Sequence, residues 1–439
     1  MTDVRTSVDA VTPYEPGPTE GGVTMRMQRA VKWLGGVVVA MAIGIAPAPP
    51  ALADETCQSP FLPKVTGQED YLYVWTLGVK GVADGNDSMV TVDVNPASGR
   101  YGQIVHRAPV PGQHEAHHAG FTDDRRFLWA GGLDTSQIFI FDVASNPAQP
   151  KLVKTIKTFV KDTGGLVGPH TFYALPGRML ISALSNAKDG GGRTGLAEYT
   201  NDGKFIRTIW MPAEAVYGYD VRVNVNLNRM LTSSFAGRKN YMRPIGELLK
   251  DAEAMKQFGS SVIVWDFHAR KPLQVLSIPG APLELRWALL PNHPYAFTAT
   301  ALTGQLVLIH QQPDGKWAHK NIAEIGANIP VDISIAPDDS KIYVNSYGDG
   351  TLRIYDVTDP FEGKLIHQVK LGEQANMVST SWDGQRVYAT SSLLSQWDKP
   401  GDQWLKAFAW EDGKLVPKFT TDFNGTGRAH IMNFGSKSR

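Results

Sequence analysis

One strand-forming phrase recurs along the chain, and it constrains the fold more than any other feature of the sequence. Most copies alternate β-branched or aromatic residues and end in an acidic or amide residue followed by a turn. The copies lie roughly 45 to 65 residues apart and begin at Val90, Ile138, Leu196, Val262, Leu306, Leu352 and Ala407. A second strand, turn, strand phrase precedes most of them, so each period holds about four short strands. Such units cannot bury both faces alone, and they predict an all-β fold, a seven-bladed β-propeller.

The two ends of the repeat predict how the ring closes. The first unit starts at Tyr71 and supplies only three strands, through Val105, whereas Ala429–Phe434 is one strand without a partner. Adding this last strand to the first blade completes the blade and closes the ring, which removes free sheet edges. We therefore expect an N-terminal extension over residues 54–68 and a single propeller domain over residues 69–439.

One segment departs from the strand pattern. Pro244 to Phe258 predicts an amphipathic helix, and its apolar face contains Ile245, Leu248, Leu249, Ala252 and Met255. We interpret this helix as a surface excursion packed on the fourth blade, in preference to an active-site lid.

The N-terminal residues predict export. Basic residues precede an apolar run from Trp33 to about Ile45, and Ala51-Leu52-Ala53 has the small-residue pattern that signal peptidase recognises. Residues 1–53 are therefore predicted to be a leader with a Sec-type signal peptide, with Met25 or Met27 as alternative starts. No later stretch approaches about 20 apolar residues, so we expect no integral membrane segment in the mature chain and a periplasmic location.

Charge and cysteine content exclude several classes of protein. The 439-residue sequence has 43 Lys and Arg against 43 Asp and Glu, which predicts no nucleic-acid partner and no polybasic membrane patch. The one cysteine, Cys57, excludes a disulfide scaffold and a cysteine-built zinc or iron–sulfur site. The expected partners are small molecules or proteins, and a homo-oligomer is compatible with the sequence.

The repeat register places polar residues around the central channel. Because the innermost strand of each blade lines the channel, equivalent positions at the starts of these strands must form a ring. In chain order the ring contains His117 and His118, His170, Tyr219 and Asp220, Glu284, Asp332, Asn376 and Met377, and His430. Neutral imidazole suits copper, zinc, iron or nickel, and carboxylates can ligate a metal or orient its ligands. The ring therefore predicts a transition-metal site.

Each ring position also has a structural alternative. A single histidine at a strand start is commonly a hydrogen-bonded channel residue, and Glu284-Leu-Arg286 is compatible with a ligand, a general base or a salt bridge. The remaining histidines fall in predicted turns or outer strands, where we expect solvation. His114 is the exception, because the sequence around it is locally rich in histidine.

Several motifs together resemble the selenium-binding protein family, which includes bacterial periplasmic and animal methanethiol oxidases. They are Glu115–Gly120, Gly218–Asp220, Pro282–Arg286, Asp332–Ser334, Leu352–Pro360 and Ser392–Lys399. The resemblance extends from about Tyr71 to His430. It implies a β-propeller, a copper cofactor, and oxidation of methanethiol by O2 and water to formaldehyde, hydrogen sulfide and hydrogen peroxide.

The resemblance also implies roles for particular residues. The positions that match the histidine motifs of the family are the metal-ligand candidates His117, His118, His170 and His430. Asp220, Glu284 and Asp332 are then the catalytic candidates, which orient imidazoles or take the methyl proton. The expected small-molecule partners are a thiol and O2.

Three departures from the family pattern accompany this resemblance. The cysteine pair that the family carries is absent between Ala119 and Gly132, Ile431 follows His430 where the family has Glu, and Tyr173 stands where a second histidine is usual. Two other functions remain open, a calcium-dependent lactonase-like hydrolase and a non-catalytic selenium-binding or metal-binding propeller. The histidines count against the calcium site, because calcium prefers oxygen ligands.

Overall fold

A computed structural model describes residues 59–65, 67–188, 193–326 and 328–437. The predicted leader, the two alternative starts and Cys57 lie outside the described residues. Within them, 28 strands form seven antiparallel sheets of four strands each. The sheets are the blades of a seven-bladed β-propeller, which confirms the predicted all-β fold.

The first three blades have their strands ordered from the channel outward. Blade 1 contains β28 (Arg428–Gly435), β1 (Tyr71–Leu77), β2 (Ser88–Asp93) and β3 (Ile104–Pro109). Blade 2 contains β4 (Ala116–Phe121), β5 (Phe127–Gly132), β6 (Gln137–Asp142) and β7 (Lys151–Ile156). Blade 3 contains β8 (Leu166–Leu175), β9 (Arg178–Asn186), β10 (Gly195–Thr200) and β11 (Phe205–Trp210).

The other four blades follow the same order. Blade 4 contains β12 (Val221–Asn224), β13 (Arg229–Thr232), β14 (Ser261–Asp266) and β15 (Lys271–Ser277); blade 5 contains β16 (Pro282–Trp287), β17 (Tyr295–Thr300), β18 (Gln305–Gln311) and β19 (Trp317–Glu324); blade 6 contains β20 (Pro330–Ile335), β21 (Lys341–Ser346), β22 (Thr351–Asp356) and β23 (Lys364–Lys370); blade 7 contains β24 (Val378–Thr380), β25 (Arg386–Thr390), β26 (Trp404–Glu411) and β27 (Lys414–Asp422).

The sequence pattern of each strand matches its depth in the blade. Each recurring phrase forms the third strand from the channel, where both faces pack against neighbouring blades, as in β6 and β14. The outermost strands alternate exposed and partly buried residues, because one of their faces meets solvent, as in β23. Each of the seven copies therefore corresponds to one blade.

The ring closes as the sequence predicts. Strand β28 pairs with β1 in antiparallel register, from Tyr71 opposite Gly435 to Leu77 opposite Arg428. Three further hydrogen bonds reinforce this closure. Arg125 of blade 2 donates to the carbonyl of Phe434 at 2.9 Å. The buried Glu69 accepts from Arg386 at 2.8 Å and from the Tyr388 hydroxyl at 3.0 Å, both in blade 7.

In the part of the chain that the structure describes, four short helices interrupt the strands. They are α1 (Phe159–Asp162), α2 (Arg238–Tyr241), α3 (Ile245–Leu248) and α4 (Ala252–Met255). Among the described residues, no helix has the length and apolarity that crossing a membrane requires. Residues 238–258, which contain α2 to α4, are referred to below as the cap segment.

The prediction of one continuous helix over Pro244 to Phe258 is wrong. Helices α3 and α4 are separate single turns, because the Asp251 side chain accepts hydrogen bonds from the backbone of Glu253 and Ala254 and starts α4 anew. The interpretation as a surface excursion packed on the fourth blade, in preference to a lid, is also wrong. The cap segment packs into one hydrophobic cluster with residues of blades 2 to 7, including Leu133, Val331 and Leu393, and therefore covers one end of the channel.

Ring closure predicts that the last strand contributes strongly to stability. Replacing the fully buried Ile431 with Ala should lower the free energy of unfolding by about 2–5 kcal/mol, because it leaves a cavity between β28 and its neighbours. The matched control is Ile366→Ala on β23, where the side chain is 46% exposed and the expected change is below about 0.5 kcal/mol. Urea denaturation of both variants checks this. Equal losses would show that closure is not the source of the stability.

Candidate metal centre

Irregular strand pairing occurs at several of the ring residues. In five blades the innermost strand shifts its pairing register with the next strand. The shifts lie between Ala116 and Ala119 in blade 2, Pro169 and Phe172 in blade 3, Pro282 and Leu285 in blade 5, and Pro330 and Asp332 in blade 6. In blade 1 the shift lies between Ala429 and Ile431, opposite Thr76 and Trp75. The residues skipped by these shifts include His117, His118, His170, Glu284 and His430. A β-bulge leaves its extra residue unpaired and changes the direction of the side chain. A bulge of this kind therefore recurs in blades 1, 2, 3, 5 and 6.

The four candidate histidines lie together in the channel. One ring nitrogen from each of His117, His118 and His170 lies within 4.8 Å of the other two. The ring of His430 lies 4.0 Å from that of His117, centroid to centroid, and 5.6 Å from that of His118. All four side chains are buried. A group of three imidazoles with a fourth beside it is therefore available to a metal ion.

The protonation state of these rings suits a metal. Burial lowers the pKa of His117 and His118 well below the ordinary value and that of His170 and His430 to about 3, so all four are neutral at pH 7. Only a neutral imidazole has a lone pair to offer a metal.

Buried ring nitrogens point to the same conclusion. Nδ1 of His117 and Nε2 of His170 and His430 have no hydrogen-bond partner among the described residues. Nδ1 of His170 lies 3.2 Å from the Thr171 hydroxyl, and Nδ1 of His430 lies 3.3 Å from the side-chain nitrogen of Asn376. These contacts are on the opposite side of each ring from Nε2. Metal-ligating histidines commonly have this arrangement, so the donor set fits a metal.

A buried ion-pair cluster lies beside the histidines. Arg222 donates to Asp220 at 2.8 Å and to Glu284 at 2.9 Å, and Arg286 donates to Glu284 and to Asp332, both at 3.0 Å. Burial raises the pKa of Asp220 to about 6 and also raises that of Asp332, and the two guanidinium groups oppose both shifts. With three carboxylates against two guanidinium groups, the fully ionised cluster has one excess negative charge, which a bound cation would balance.

The three candidate catalytic carboxylates occupy different positions. Glu284 contacts an imidazole directly, since its Oε1 lies 3.6 Å from Nε2 of His118. Asp220 acts through Thr171, whose hydroxyl donates to Asp220 at 2.8 Å and lies 3.2 Å from Nδ1 of His170.

Asp332 serves a different purpose. Besides Arg286, its carboxylate accepts from the backbone N–H groups of Ile333 at 2.8 Å and Val378 at 2.7 Å. The hydrogen bond from Val378 joins blades 6 and 7. Together the two backbone bonds fix the Asp332 carboxylate, which in turn holds Arg286. We therefore assign Asp332 to the support of the ion-pair cluster.

Sequence reasoning missed Arg222 and Thr171. A signal for Arg222 was present, because Asp220 and Arg222 have the same two-residue spacing as Glu284 and Arg286, which places each pair on one face of a strand. No comparable signal marks Thr171. His114 is buried but lies outside the metal-centre group, since its ring nitrogens contact the Thr135 hydroxyl at 2.9 Å and the carbonyl of Pro111 at 2.8 Å.

An apolar cavity lies between the metal centre and the cap segment. It has a volume of about 20 Å³ and is lined by His117, Leu133, Leu184, Tyr219, Phe235, Ile245, Leu248, Leu249, Phe258, Leu283, Ala301, Leu302, Ile329, Val331, Leu393, Leu394 and Trp397. We call this cavity the vestibule. Its lining reaches the metal centre at His117 and at Tyr219, whose ring lies 3.9 Å from that of His170.

Known proteins resemble this chain over most of its length. Residues 52–425 match the family described as 56kDa selenium binding protein (SBP56). A protein of Ruegeria pomeroyi named methanethiol oxidase is 53% identical over 411 residues, which cover 88% of this chain and 94% of the relative. A Hyphomicrobium protein of the same name is 52% identical over 412 residues, 91% of this chain and 94% of the relative.

A solved structure supports the same comparison. The X-ray structure of a hypothetical selenium-binding protein from Sulfolobus tokodaii superposes with a TM-score of 0.76 at 27% sequence identity. The superposition covers 85% of this chain and 96% of that chain.

The ion-pair cluster predicts a large cost for removing one arginine. Arg286→Met should lower the free energy of unfolding by about 3–5 kcal/mol, because it leaves Glu284 and Asp332 buried without this cation. Arg238→Met is the control, since Arg238 forms an exposed ion pair with Asp134 and should cost at most about 1 kcal/mol. Chemical denaturation at pH 7 measures both. A loss at Arg286 no larger than the control would contradict the buried, charged cluster.

Proposed function

The chain belongs to the selenium-binding protein family, and from that premise we propose that it is a copper-dependent methanethiol oxidase. The reaction converts methanethiol, O2 and water into formaldehyde, hydrogen sulfide and hydrogen peroxide, one molecule of each. The two bacterial relatives named methanethiol oxidase support this activity, because the similarity covers nearly the whole of each relative. The predicted signal peptide supports a periplasmic location.

The convergence of four buried neutral imidazoles is the observation that carries the proposal. His117, His118, His170 and His430 would hold the metal through the ring nitrogens that face one another in the channel. Copper bound there supplies a soft acceptor for the thiol sulfur and one-electron chemistry with O2, which side chains cannot supply. A nitrogen-rich donor set favours copper over the calcium that a lactonase-like hydrolase would use.

Glu284 is the candidate proton acceptor. Conversion of methanethiol to formaldehyde removes the thiol proton and a proton from the methyl carbon. Both Arg222 and Arg286 donate to Oε2 of Glu284, whereas Oε1 is buried, has no hydrogen-bond partner among the described residues and lies on the side of His118. The arginines therefore hold Oε2 in place and leave Oε1 available to accept a proton.

Asp220 and Thr171 position the site rather than react. Asp220 is held by Arg222 and by the backbone N–H of Leu285 at 2.9 Å, and the Thr171 hydroxyl donates to it. This chain of contacts fixes Thr171 beside the His170 ring, so the orientation of a ligand follows from the ion-pair cluster.

The histidine cluster predicts that copper binding and turnover are lost together. His430→Ala should reduce bound copper to well below one per chain and abolish methanethiol-dependent O2 consumption, because His430 contributes a ring on one side of the cluster. His319→Ala is the matched control, since His319 lies exposed on β19. Equilibrium dialysis against copper and an oxygen electrode measure the two quantities. Retention of both by the His430 variant would refute the assignment.

The position of Glu284 predicts a separation of metal binding from rate. Glu284→Gln should keep copper at the wild-type level and lower kcat by about 100-fold or more, because the amide cannot accept the substrate proton. Copper content and steady-state kinetics with methanethiol measure this. Glu324→Gln on the exposed face of β19 controls for a change of charge alone. A Glu284 variant with an unchanged kcat would exclude the carboxylate as the base.

A further inference from the structure

Glu115 occupies a backbone position that other blades fill with apolar residues. It directly precedes Ala116, where the pairing of β4 shifts register, and the equivalent residues of blades 5 and 6 are Ala281 and Ile329. The φ angles of these three residues are 61°, 58° and 52°, and the carbonyl of each accepts a backbone hydrogen bond from just beyond the second strand of its blade. Two blades thus adopt this conformation without a carboxylate, so blade geometry does not account for the Glu115 side chain.

The Glu115 carboxylate binds a loop of blade 7. Its Oε1 accepts from the backbone N–H of Ser395 at 2.6 Å, and its Oε2 accepts from the Ser395 hydroxyl at 2.5 Å. Glu115 is buried, and hydrogen bonds shielded from water are stronger than exposed ones. Ser395 lies between β25 and β26, within residues 392–398, which we call the clamp loop. The contact therefore joins blade 2 to blade 7 across blade 1, which lies between them in the ring.

Hydrogen bonds within the clamp loop hold its shape. The buried Asp398 carboxylate accepts from the Ser392 hydroxyl at 2.5 Å and from the backbone N–H of Leu393 at 2.8 Å. The Tyr347 hydroxyl, from blade 6, also donates to Asp398 at 3.2 Å. Because Asp398 ties the two ends of the clamp loop together, residues bound to the loop keep a fixed separation.

The clamp loop also binds the strand that carries His430. The backbone N–H of Ser392 donates to the carbonyl of the residue before His430 at 2.9 Å. Arg428 donates to the carbonyl of Ser395 at 2.7 Å. The side-chain nitrogen of Asn376 donates to the carbonyl of Ser392 and lies 3.3 Å from Nδ1 of His430. These contacts hold the His430 ring in place relative to the clamp loop.

We propose that Glu115 is a positioning residue, which through the clamp loop sets the separation of the His117 and His430 rings. Glu115 lies two residues before His117, and the two rings are 4.0 Å apart, centroid to centroid. Contacts outside the ligand set that fix imidazoles in advance reduce the ordering that metal binding requires. This inference rests on the proposed function for the identity of the metal, whereas the contacts themselves involve only the chain.

Copper affinity tests the proposal from both ends of the contact. Glu115→Ala should weaken copper(II) binding by about 10–100-fold, and Ser395→Ala, which removes only the hydroxyl, by about 3–10-fold. The double variant should bind copper no more weakly than Glu115→Ala, because both changes remove the same contact. Competition with a chelator of known copper affinity measures all three variants. Losses that multiply in the double variant, or no loss in either single variant, would overturn the proposal.

Two further measurements separate positioning from a merely structural role. Ser395 is partly exposed, so Ser395→Ala should keep the urea midpoint of metal-free protein near wild type while it changes the EPR hyperfine splitting of bound copper(II). This variant also carries the test if Glu115→Ala does not fold. Glu115→Gln should restore most of the affinity, because the side-chain oxygen still accepts from the Ser395 N–H. A lowered urea midpoint with an unchanged EPR spectrum would overturn the proposal.

A matched control removes a similar contact elsewhere. The Ser145 hydroxyl donates to the Asp142 carboxylate at 2.6 Å in an exposed turn of blade 2. Ser145→Ala should change neither the copper affinity nor the EPR spectrum. A change equal to that of Ser395→Ala would show that the effect is not specific to the clamp loop and would overturn the proposal.

A readout without metal or turnover separates this inference from the proposed function. In metal-free protein labelled with ¹⁵N-histidine, the NMR signals of the His117 and His430 rings should shift in Ser395→Ala. If they shift and no thiol is oxidised by copper-loaded protein, the positioning role stands and the oxidase fails. If methanethiol is oxidised while the variants keep wild-type ring signals and copper affinity, the oxidase stands and the positioning role fails. If wild-type protein binds no copper, the ring signals alone decide.

Discussion

Pairing of β28 with β1 is the contact on which the metal centre depends. It joins residues near the C-terminus to the first strand of the ring, and the bulge within it directs His430 toward His117 at a ring distance of 4.0 Å. The other histidines reach the channel from blades 2 and 3 in the same way, through irregular pairing of an innermost strand. The candidate metal site is therefore complete only when the propeller is closed, so the proposed metal binding would depend on folding through this one strand.

Electrostatics explains why the site tolerates so many buried polar groups. Four neutral imidazoles avoid the cost of buried positive charge, and the carboxylates that would otherwise be isolated are paired with Arg222 and Arg286. Carboxylates outnumber guanidinium groups in the cluster, and Glu284 lies beside His118, where a carboxylate attracts a cation. The same cluster fixes Glu284 in one orientation, so structural support and proposed proton transfer share the same contacts.

Much of this arrangement was predictable from the sequence. The recurring phrase gave the blades, and the register of their first strands gave the ring positions, because a propeller repeats one geometry around an axis. The bulges that turn His170 and His430 inward were not predictable, since they arise from pairing across strands. The cap segment was misread because an amphipathic pattern resembles one helix whether or not Asp251 interrupts it. The covering of the channel by that segment depends on long-range packing with blades 2 to 7, which no local pattern contains.

The most direct test of the account is the metal content of the purified protein, measured by mass spectrometry of elements per chain before and after reconstitution with copper. We predict at least about one copper ion per chain, accompanied by methanethiol-dependent O2 consumption. Calcium alone, or no bound copper even after reconstitution, would contradict it and leave the histidine cluster as a structural feature of the channel.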